Sequence, residues 1–391
     1  MNPFLLRLKR FCGFLFGMTF FFSGLVKLLD PVGAGLVVKE YFDFMQIGFM
    51  APTAKLFGTS LALAETLLGA ALVCGVWRKA IGMAALVMQG IFTVITLFLL
   101  IFNPEMDCGC FGEAIHLTHL ETFVKNLILL ALILIYYFPN RHLGNPKNRK
   151  YASFGLVAVS CVGFMVYSLM YIPLVDFTAY KSGAQLLAAT SDSGDQMYEA
   201  VFTYEKDGKT KDFTLEALPD STWTFVSTDT RLKEGISDDT IELSIFDSRT
   251  QTYADSLAAQ GKVMVVSLYD TDIDESEWEK IGAIAGDAAS CGIRPLILAT
   301  ETDAVPDSLQ ACAYTSDYKT LISLNRSNGG ITYFEDGTLI RKWARRAAPD
   351  AEEIKQTASG EPTETAIDYE SKGSLGFQGF LLYVSAVLLL L

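Results

Sequence analysis

The chain has 391 residues, 51% of them hydrophobic and 19% charged, with a mean hydropathy of +0.31, too apolar for a wholly water-soluble body of this size. Its net charge of −13 divides unevenly: residues 1–172 hold 13 Lys and Arg against 8 Asp and Glu, and the remainder holds 18 against 36. A basic-edged apolar half and an acidic half follow, and an acidic balance with no basic stripe argues against nucleic acid as a partner.

Apolar runs that reach the roughly 17–25 residues a membrane-crossing helix needs occur at 11–29, 56–77, 80–102, 122–138 and 152–172, with a shorter one at 375–391. Basic residues cluster before the first run (Arg7, Lys9, Arg10), between the second and third (Arg78, Lys79), and between the fourth and fifth (Arg141, Lys147, Arg149, Lys150). Threaded in order, all three clusters fall on one side, which the positive-inside rule makes cytoplasmic. The loops at 30–50 and 103–121 and the acidic body are then extracytoplasmic. A signal peptide at the N-terminus is the alternative for the first run, and a membrane-surface segment the alternative for the last.

The acidic body reads as β-rich over 176–250 and as α/β over 251–372. Alternating runs at 200–205 and 211–215 flank Asp207-Gly208, a hairpin signal. A buried-strand pattern at 263–269, an amphipathic helix at 275–289, a strand at 295–299, a hairpin turning at Asp336-Gly337 and a helix near 349–357 follow in the order of a thioredoxin-like fold.

Of the seven cysteines, only Cys108 and Cys110 form a compact motif, Asp107-Cys108-Gly109-Cys110-Phe111-Gly112. A bridge across one residue closes a small ring, and a strained bridge is an easily reduced one. A redox-cycling dithiol, a static disulfide, and two ligands of a metal site completed by His116 and His119 are the three readings. His-x-x-His is not a familiar zinc spacing here, so no metal is assigned. Glu65 sits in the middle of the second run, where a carboxylate is costly unless paired or protonated; Lys27, Lys125 and Asn126 are its candidate partners, with a helix-to-helix tie to Lys125 or a proton-transfer role as the two readings. Cys291 and Cys312 bracket the strand at 295–299 and could form a structural disulfide in an oxidising compartment. Cys12, Cys74 and Cys161 read as small buried hydrophobes. The glycines at 13, 17, 69 and 75 read as close helix packing.

Arg10 with Gly17, the stretch Phe22-Ser23-Gly24-Leu25-Val26-Lys27-Leu28-Leu29-Asp30-Pro31, Glu65 with Gly69, the Cys-Gly-Cys-Phe-Gly motif and Thr122-Phe123-Val124-Lys125-Asn126 together resemble DoxX-like proteins of the MauE (methylamine utilisation) type. The resemblance covers about residues 4–140. It implies a four-helix inner-membrane module, over 1–140, tied to redox maturation of an exported protein. Residues 141–175 then supply a cytoplasmic loop and a fifth span, and 375–391 a further one. The acidic body resembles a thioredoxin-like domain with both catalytic elements missing: Asp270-Thr271-Asp272-Ile273-Asp274-Glu275-Ser276-Glu277 stands where such a domain presents Cys-x-x-Cys, and Asn328-Gly329-Gly330 stands at the usual cis-proline.

The expectation is a helical membrane bundle carrying an α/β thioredoxin-like domain, residing in the bacterial inner membrane with residues 176–372 outside the cytoplasm. Its function would be thiol-disulfide exchange or electron transfer, with Cys108 and Cys110 as the working pair. Its partners would be the lipid bilayer, an exported client protein or periplasmic thiol carrier, and a lipid-soluble quinone as the candidate cofactor. A non-catalytic membrane scaffold with a partner-binding domain is the rival reading, and a transporter built on Glu65 a third.

Overall fold

The computed structural model describes residues 3–104, 106, 108–138, 146–187, 198–206, 209–214, 218–219, 223–232 and 240–390. The chain groups into two compact units, the first from residues up to 178 with 344–347 and 370 onward, the second from 179–343 and 348–369.

The first unit is helical: α1 (Pro3–Leu29), α2 (Pro31–Phe44), α3 (Ala54–Cys74), α4 (Arg78–Phe102), a short extended stretch β1 (Cys110–Glu113), α5 (His119–Tyr137) and α6 (Asn148–Met170). The C-terminal helix, Pro362–Leu390, contributes its second half. Among the described residues six helical stretches are long and apolar enough to cross a membrane, beginning with Leu6–Leu29 and ending with Pro362–Leu389. α4 shows why: Ala85, Gln89, Thr96 and Leu99 are buried while Val87, Ile91, Val94 and Phe98 are exposed, the helical period of a stripe facing protein and a stripe facing lipid.

Phe16 and Phe20 of α1, Leu72 of α3, Ala85 of α4 and Leu129, Ile133 and Tyr136 of α5 share one core, so these four helices form a bundle. α6 and the C-terminal helix pack on its other side through Val157, Cys161, Phe164, Phe377 and Val384. Ser153 Oγ donates to the Val387 carbonyl at 2.6 Å. α1 and α3 touch backbone to backbone: a Cβ at Gly69 would lie 2.3 Å from the Phe21 nitrogen, and one at Gly24 would lie 2.5 Å from the Thr66 nitrogen. Such contact is possible only with small residues.

Two expectations change here. Residues 30–50 are not a loop, because Asp30 caps a new helix by accepting from Gly33 N at 2.8 Å and Pro31 occupies its first turn, where a missing N–H costs nothing. The last helix starts at Pro362, not near 375, so it carries a polar first half ahead of its apolar run.

In the second unit, β3 (Tyr198–Lys206), β4 (Lys209–Thr214) and β5 (Thr224–Leu232) form a three-stranded antiparallel sheet in the order β4-β3-β5, the turn at 207–208 lying outside the described residues. A mixed nine-stranded sheet holds the rest. At its centre β9 (Lys262–Leu268) pairs parallel with β10 (Arg294–Ala299) and antiparallel with β12 (Gly330–Glu335). β12 continues into β13 (Thr338–Trp343), and β10 pairs parallel with β11 (Ala313–Thr315). Short strands extend both edges: β2 (Gln185–Leu186) with β6 (Thr240–Ile241), and β7 (Phe246–Asp247) with β8 (Thr252–Tyr253).

β9 is buried on both faces, and its alternation sorts the core. Met264, Val266 and Leu268 join Ile281 of a helix at Glu275–Ser290 and Ile354 of one at Ala351–Ser359. Val263 and Val265 join Leu321 and Leu324 of a third helix, Tyr318–Leu324. The β12–β13 turn has Asp336 and Gly337 both at positive φ (46° and 76°), the backbone a two-residue hairpin requires. Cys291 and Cys312 are free thiols, and each closes a different helical turn, with Cys312 Sγ donating to the Leu309 carbonyl at 3.2 Å and Cys291 Sγ lying 3.9 Å from Ser290 Oγ.

Gly69→Ala is expected to destabilise the bundle by about 1–3 kcal/mol, because the added methyl meets backbone that cannot yield locally. Gly90→Ala, where a Cβ meets nothing within 4 Å, is the matched control and should leave the melting temperature of the full chain unchanged or slightly raised.

Candidate functional site

An apolar cavity of about 160 Å³ lies between α1, α2, α3, α4 and α5, and its polar wall is a set of side chains from these helices and the Cys108–Cys110 loop. On that wall Lys27 Nζ sits 2.8 and 2.9 Å from the two oxygens of Glu65. Glu65 is 1% exposed, and Ser23 Oγ lies 3.0 Å from its second oxygen. The partner is therefore Lys27, not Lys125. Ser23 and Lys27 are four residues apart on α1, hence on one face, and the α1–α3 backbone contact at Gly24 and Gly69 brings that face against Glu65. Lys125 instead stands over the Phe111 ring at 4.9 Å.

The same serine ties this pair to the cysteine loop, since Ser23 Oγ also lies 2.7 Å from the Cys110 carbonyl and can donate to it. Tyr41 of α2 donates to the Cys108 carbonyl at 2.9 Å. Burial first, and then the electrostatic influence of neighbouring Cys110, Cys108 and Glu40, push the Tyr41 phenol above its ordinary value, so it remains a neutral donor. Gly109 has φ +59°, and a Cβ there would fall 2.3 Å from Val37 Cγ1, so both its conformation and its contact with α2 demand glycine. Cys108 is buried, Cys110 is half-buried, and both are free thiols.

Cys108 Sγ lies 3.0 Å from His119 Nδ1, and His119 Nε2 lies 2.9 Å from the Pro104 carbonyl. A carbonyl can only accept, so Nε2 carries the hydrogen and Nδ1 of a neutral imidazole is the free acceptor facing the thiol. His119 is thus oriented as a base for Cys108. Its place is set by the helix start: Thr118 Oγ1 accepts from Glu121 N at 3.3 Å, and Glu121 Oε2 accepts from Thr118 N at 2.9 Å, a reciprocal cap that holds His119 in the first turn of α5. His116 is exposed. Among the described residues no group of three or more His, Cys, Asp or Glu side chains is placed to hold a metal.

Deeper in the cavity Asn126 Nδ2 donates to Thr96 Oγ1 at 3.1 Å, and Gln89 Nε2 donates to the Asn126 carbonyl at 3.0 Å. Gln89 is fully buried, and its Oε1 has no hydrogen-bond partner. Ser23, Tyr41 and Gln89 were not singled out from sequence. A polar residue in the charge-free third run, and a hydroxyl four positions before Lys27, were the signals available. Cys12 and Cys161 are buried and Cys74 Sγ lies 3.8 Å from Ser153 Oγ, consistent with packing roles.

Apolar helices around a buried ion pair, closed at one end by a cysteine loop, make the first unit a polytopic helical membrane domain. Its residues 5–139, the four-helix bundle with that loop, match the family model described as methylamine utilisation protein MauE, which is the resemblance its motifs imply. Residues 198–235, in the second unit, match a domain of unknown function (DUF8463). No curated protein and no solved structure matches the chain.

Removing one member of the ion pair leaves the other buried and uncompensated. Lys27→Met alone, or Glu65→Gln alone, is expected to cost about 3–5 kcal/mol, whereas Lys27→Met combined with Glu65→Leu should be milder than either. Melting temperatures of the purified full chain check this, and an additive double variant would show that the two residues do not interact.

Proposed function

We propose that the protein is a membrane-embedded thiol-disulfide exchange protein whose working pair is Cys108 and Cys110, serving the redox maturation of exported proteins. The observation that carries this reading is the Cys108–His119 contact, in which the imidazole Nδ1 lies 3.0 Å from the thiol sulfur of a glycine-centred Cys-Gly-Cys loop while Nε2 faces the Pro104 carbonyl. Thiolate, not thiol, attacks disulfides. Cys110 is the more accessible of the two and meets the client. Its thiolate attacks a client disulfide, forming one S–S bond as the client's breaks and releasing a client thiolate. Cys108, giving its proton to His119, then attacks Cys110 in the mixed disulfide; the client leaves as a dithiol and Cys108–Cys110 is the disulfide. Run in reverse, the same steps oxidise a client.

In this reading the protein resides in a bacterial inner membrane, with its basic clusters in the cytoplasm and the loop and acidic body on the oxidising side. The acidic body acts as a client-docking domain of thioredoxin-like type, and the order β13-β12-β9-β10 with a helix following β9 supports that assignment. The segment after β9 offers no thiol, because residues 270–277 hold five carboxylates and no cysteine. The scaffold reading, in which the loop is only structural, is the alternative.

Cys108→Ser removes the resolving thiol and should accumulate a mixed disulfide between Cys110 and a client in the native host, seen as a reducible adduct on non-reducing gels. Cys110→Ser should give little or none. His119→Ala should slow alkylation of Cys108 at neutral pH about a hundredfold, the low end of what a positioned base supplies. No adduct from either cysteine variant would favour the scaffold.

A further inference from the structure

We infer that the cavity is a recognition pocket for the client: it takes one bulky apolar side chain next to the client's reacting cysteine, and Lys125 on its wall favours an acidic residue close by. This rests on the exchange reading above and names the class of disulfide on which that exchange acts.

The cavity and the thiols share a wall. Cys108, Gly109, Cys110 and Phe111 all line it. A mixed disulfide on Cys110 joins the two chains through an S–S bond of about 2 Å, so the residues flanking the client cysteine lie against whatever adjoins Cys110. The loop is held in that place: Ser23 Oγ lies 2.7 Å from the Cys110 carbonyl, and Gly109 packs so closely on α2 that a Cβ would fall 2.3 Å from Val37 Cγ1.

What the cavity accepts follows from its lining. Val38, Phe42, Leu61, Phe92 and Ile95 supply apolar surface. The charges of Lys27 and Glu65 cancel across 2.8 Å, and the Tyr41 hydroxyl is committed to the Cys108 carbonyl. A polar side chain entering there would give up its water for few partners, whereas an apolar one gains by leaving water. The volume of about 160 Å³ suits a single ring or branched chain, since an engineered apolar cavity of roughly 150 Å³ holds benzene.

Lys125 adds a sign to this preference. Its ammonium stands 4.9 Å from the centroid of the Phe111 ring, beside the cysteine loop, on a half-buried side chain that also lines the cavity. Among the described residues no carboxylate pairs with it. A client carboxylate beside the apolar residue supplies that counter-charge, and a client lysine or arginine there is repelled.

The exchange balances for such a client. The Cys110 thiolate attacks the client S–S bond; one S–S bond forms, one breaks, and the client's second sulfur leaves as a thiolate. Cys108 then attacks Cys110 and releases the client cysteine. The client disulfide gains two electrons, the Cys108–Cys110 pair loses two, and the protons of the pair end on the two client thiols.

The test uses the purified, reduced full chain in nanodiscs. Its probes are the symmetric disulfides of three end-blocked peptides, Gly-Cys-Phe-Asp, Gly-Cys-Gly-Asp and Gly-Cys-Phe-Lys. Each rate is divided by that peptide's rate with dithiothreitol, which removes differences in intrinsic reactivity. The Phe-Asp peptide should react about tenfold faster than Gly-Asp, the low end for burying one large apolar side chain. It should react about threefold faster than Phe-Lys, as a partly exposed ion pair implies. Leu61→Trp, which fills the cavity, should bring the first ratio to within about twofold, and the milder Leu61→Phe should lower it part of the way. Lys125→Gln should bring the second ratio close to one, and melting temperatures check that each variant folds. Equal relative rates for the Phe and Gly peptides, no acidic preference, or a first ratio untouched by filling the cavity would overturn the proposal.

Failure of the pocket and failure of the exchange are separable. Exchange at equal rates with all three peptides removes the pocket and leaves the exchange reading standing. No exchange with any peptide also removes the pocket, and the Cys108→Ser adduct with a native client then decides the exchange reading independently.

Discussion

A lysine and a glutamate held 2.8 Å apart inside an apolar bundle govern the arrangement of the first unit. Neither charge can be left alone at that depth, so α1 and α3 must meet at a fixed register, and they do so through backbone contacts that only glycine permits at positions 24 and 69. Ser23 extends the constraint outward, because one hydroxyl lies within reach of both Glu65 and the carbonyl of Cys110. The ion pair thereby sets where the cysteine loop sits as well as how two helices pack.

The loop is gripped from other sides too. Tyr41 and Val37 of α2 hold Cys108 and Gly109, and the capped start of α5 presents His119 to the Cys108 thiol. A short loop with a left-handed glycine would otherwise have many conformations, and each contact removes some of them. What remains is a buried thiol beside an imidazole, opening on a cavity that Lys27, Glu65 and Asn126 also line. Polar groups at this depth tend to be either satisfied or functional, since leaving them unmet is costly.

The second unit is organised by a different rule. A strand buried on both faces is apolar at nearly every position, and β9, with Ser267 as its one fully buried polar residue, divides its apolar side chains between two cores with helices on either side. No thiol follows that strand, and the two cysteines of the unit are occupied locally, one against a carbonyl and one beside a hydroxyl. The chemistry legible in this chain lies among the fewer polar residues of the apolar half.

Length, apolar runs and charge asymmetry were enough to divide the chain and to place membrane helices, because the bilayer imposes a minimum length and excludes charge. Local patterns also predicted the Asp336-Gly337 hairpin and the two-sided strand at 263–269, since turn geometry and burial act over a few residues. The capped helix at Pro31–Phe44 was legible in Asp30-Pro31 yet reads as loop when only hydropathy is followed. The partner of Glu65 was not decidable from spacing: Lys27 and Lys125 both stood near helix ends, and which one reaches the carboxylate depends on helix rotation and on glycine contacts between segments some forty residues apart. The tautomer of His119 and the unmet oxygen of Gln89 likewise exist only once a carbonyl from another loop and an amide from another helix are in place. Sequence by itself determined the apolar helices, the two-part division and the Cys-Gly-Cys motif, all consequences of local composition. Tertiary structure alone decided which polar groups meet, because hydrogen bonds and ion pairs act over a few ångströms and are set by how distant segments pack.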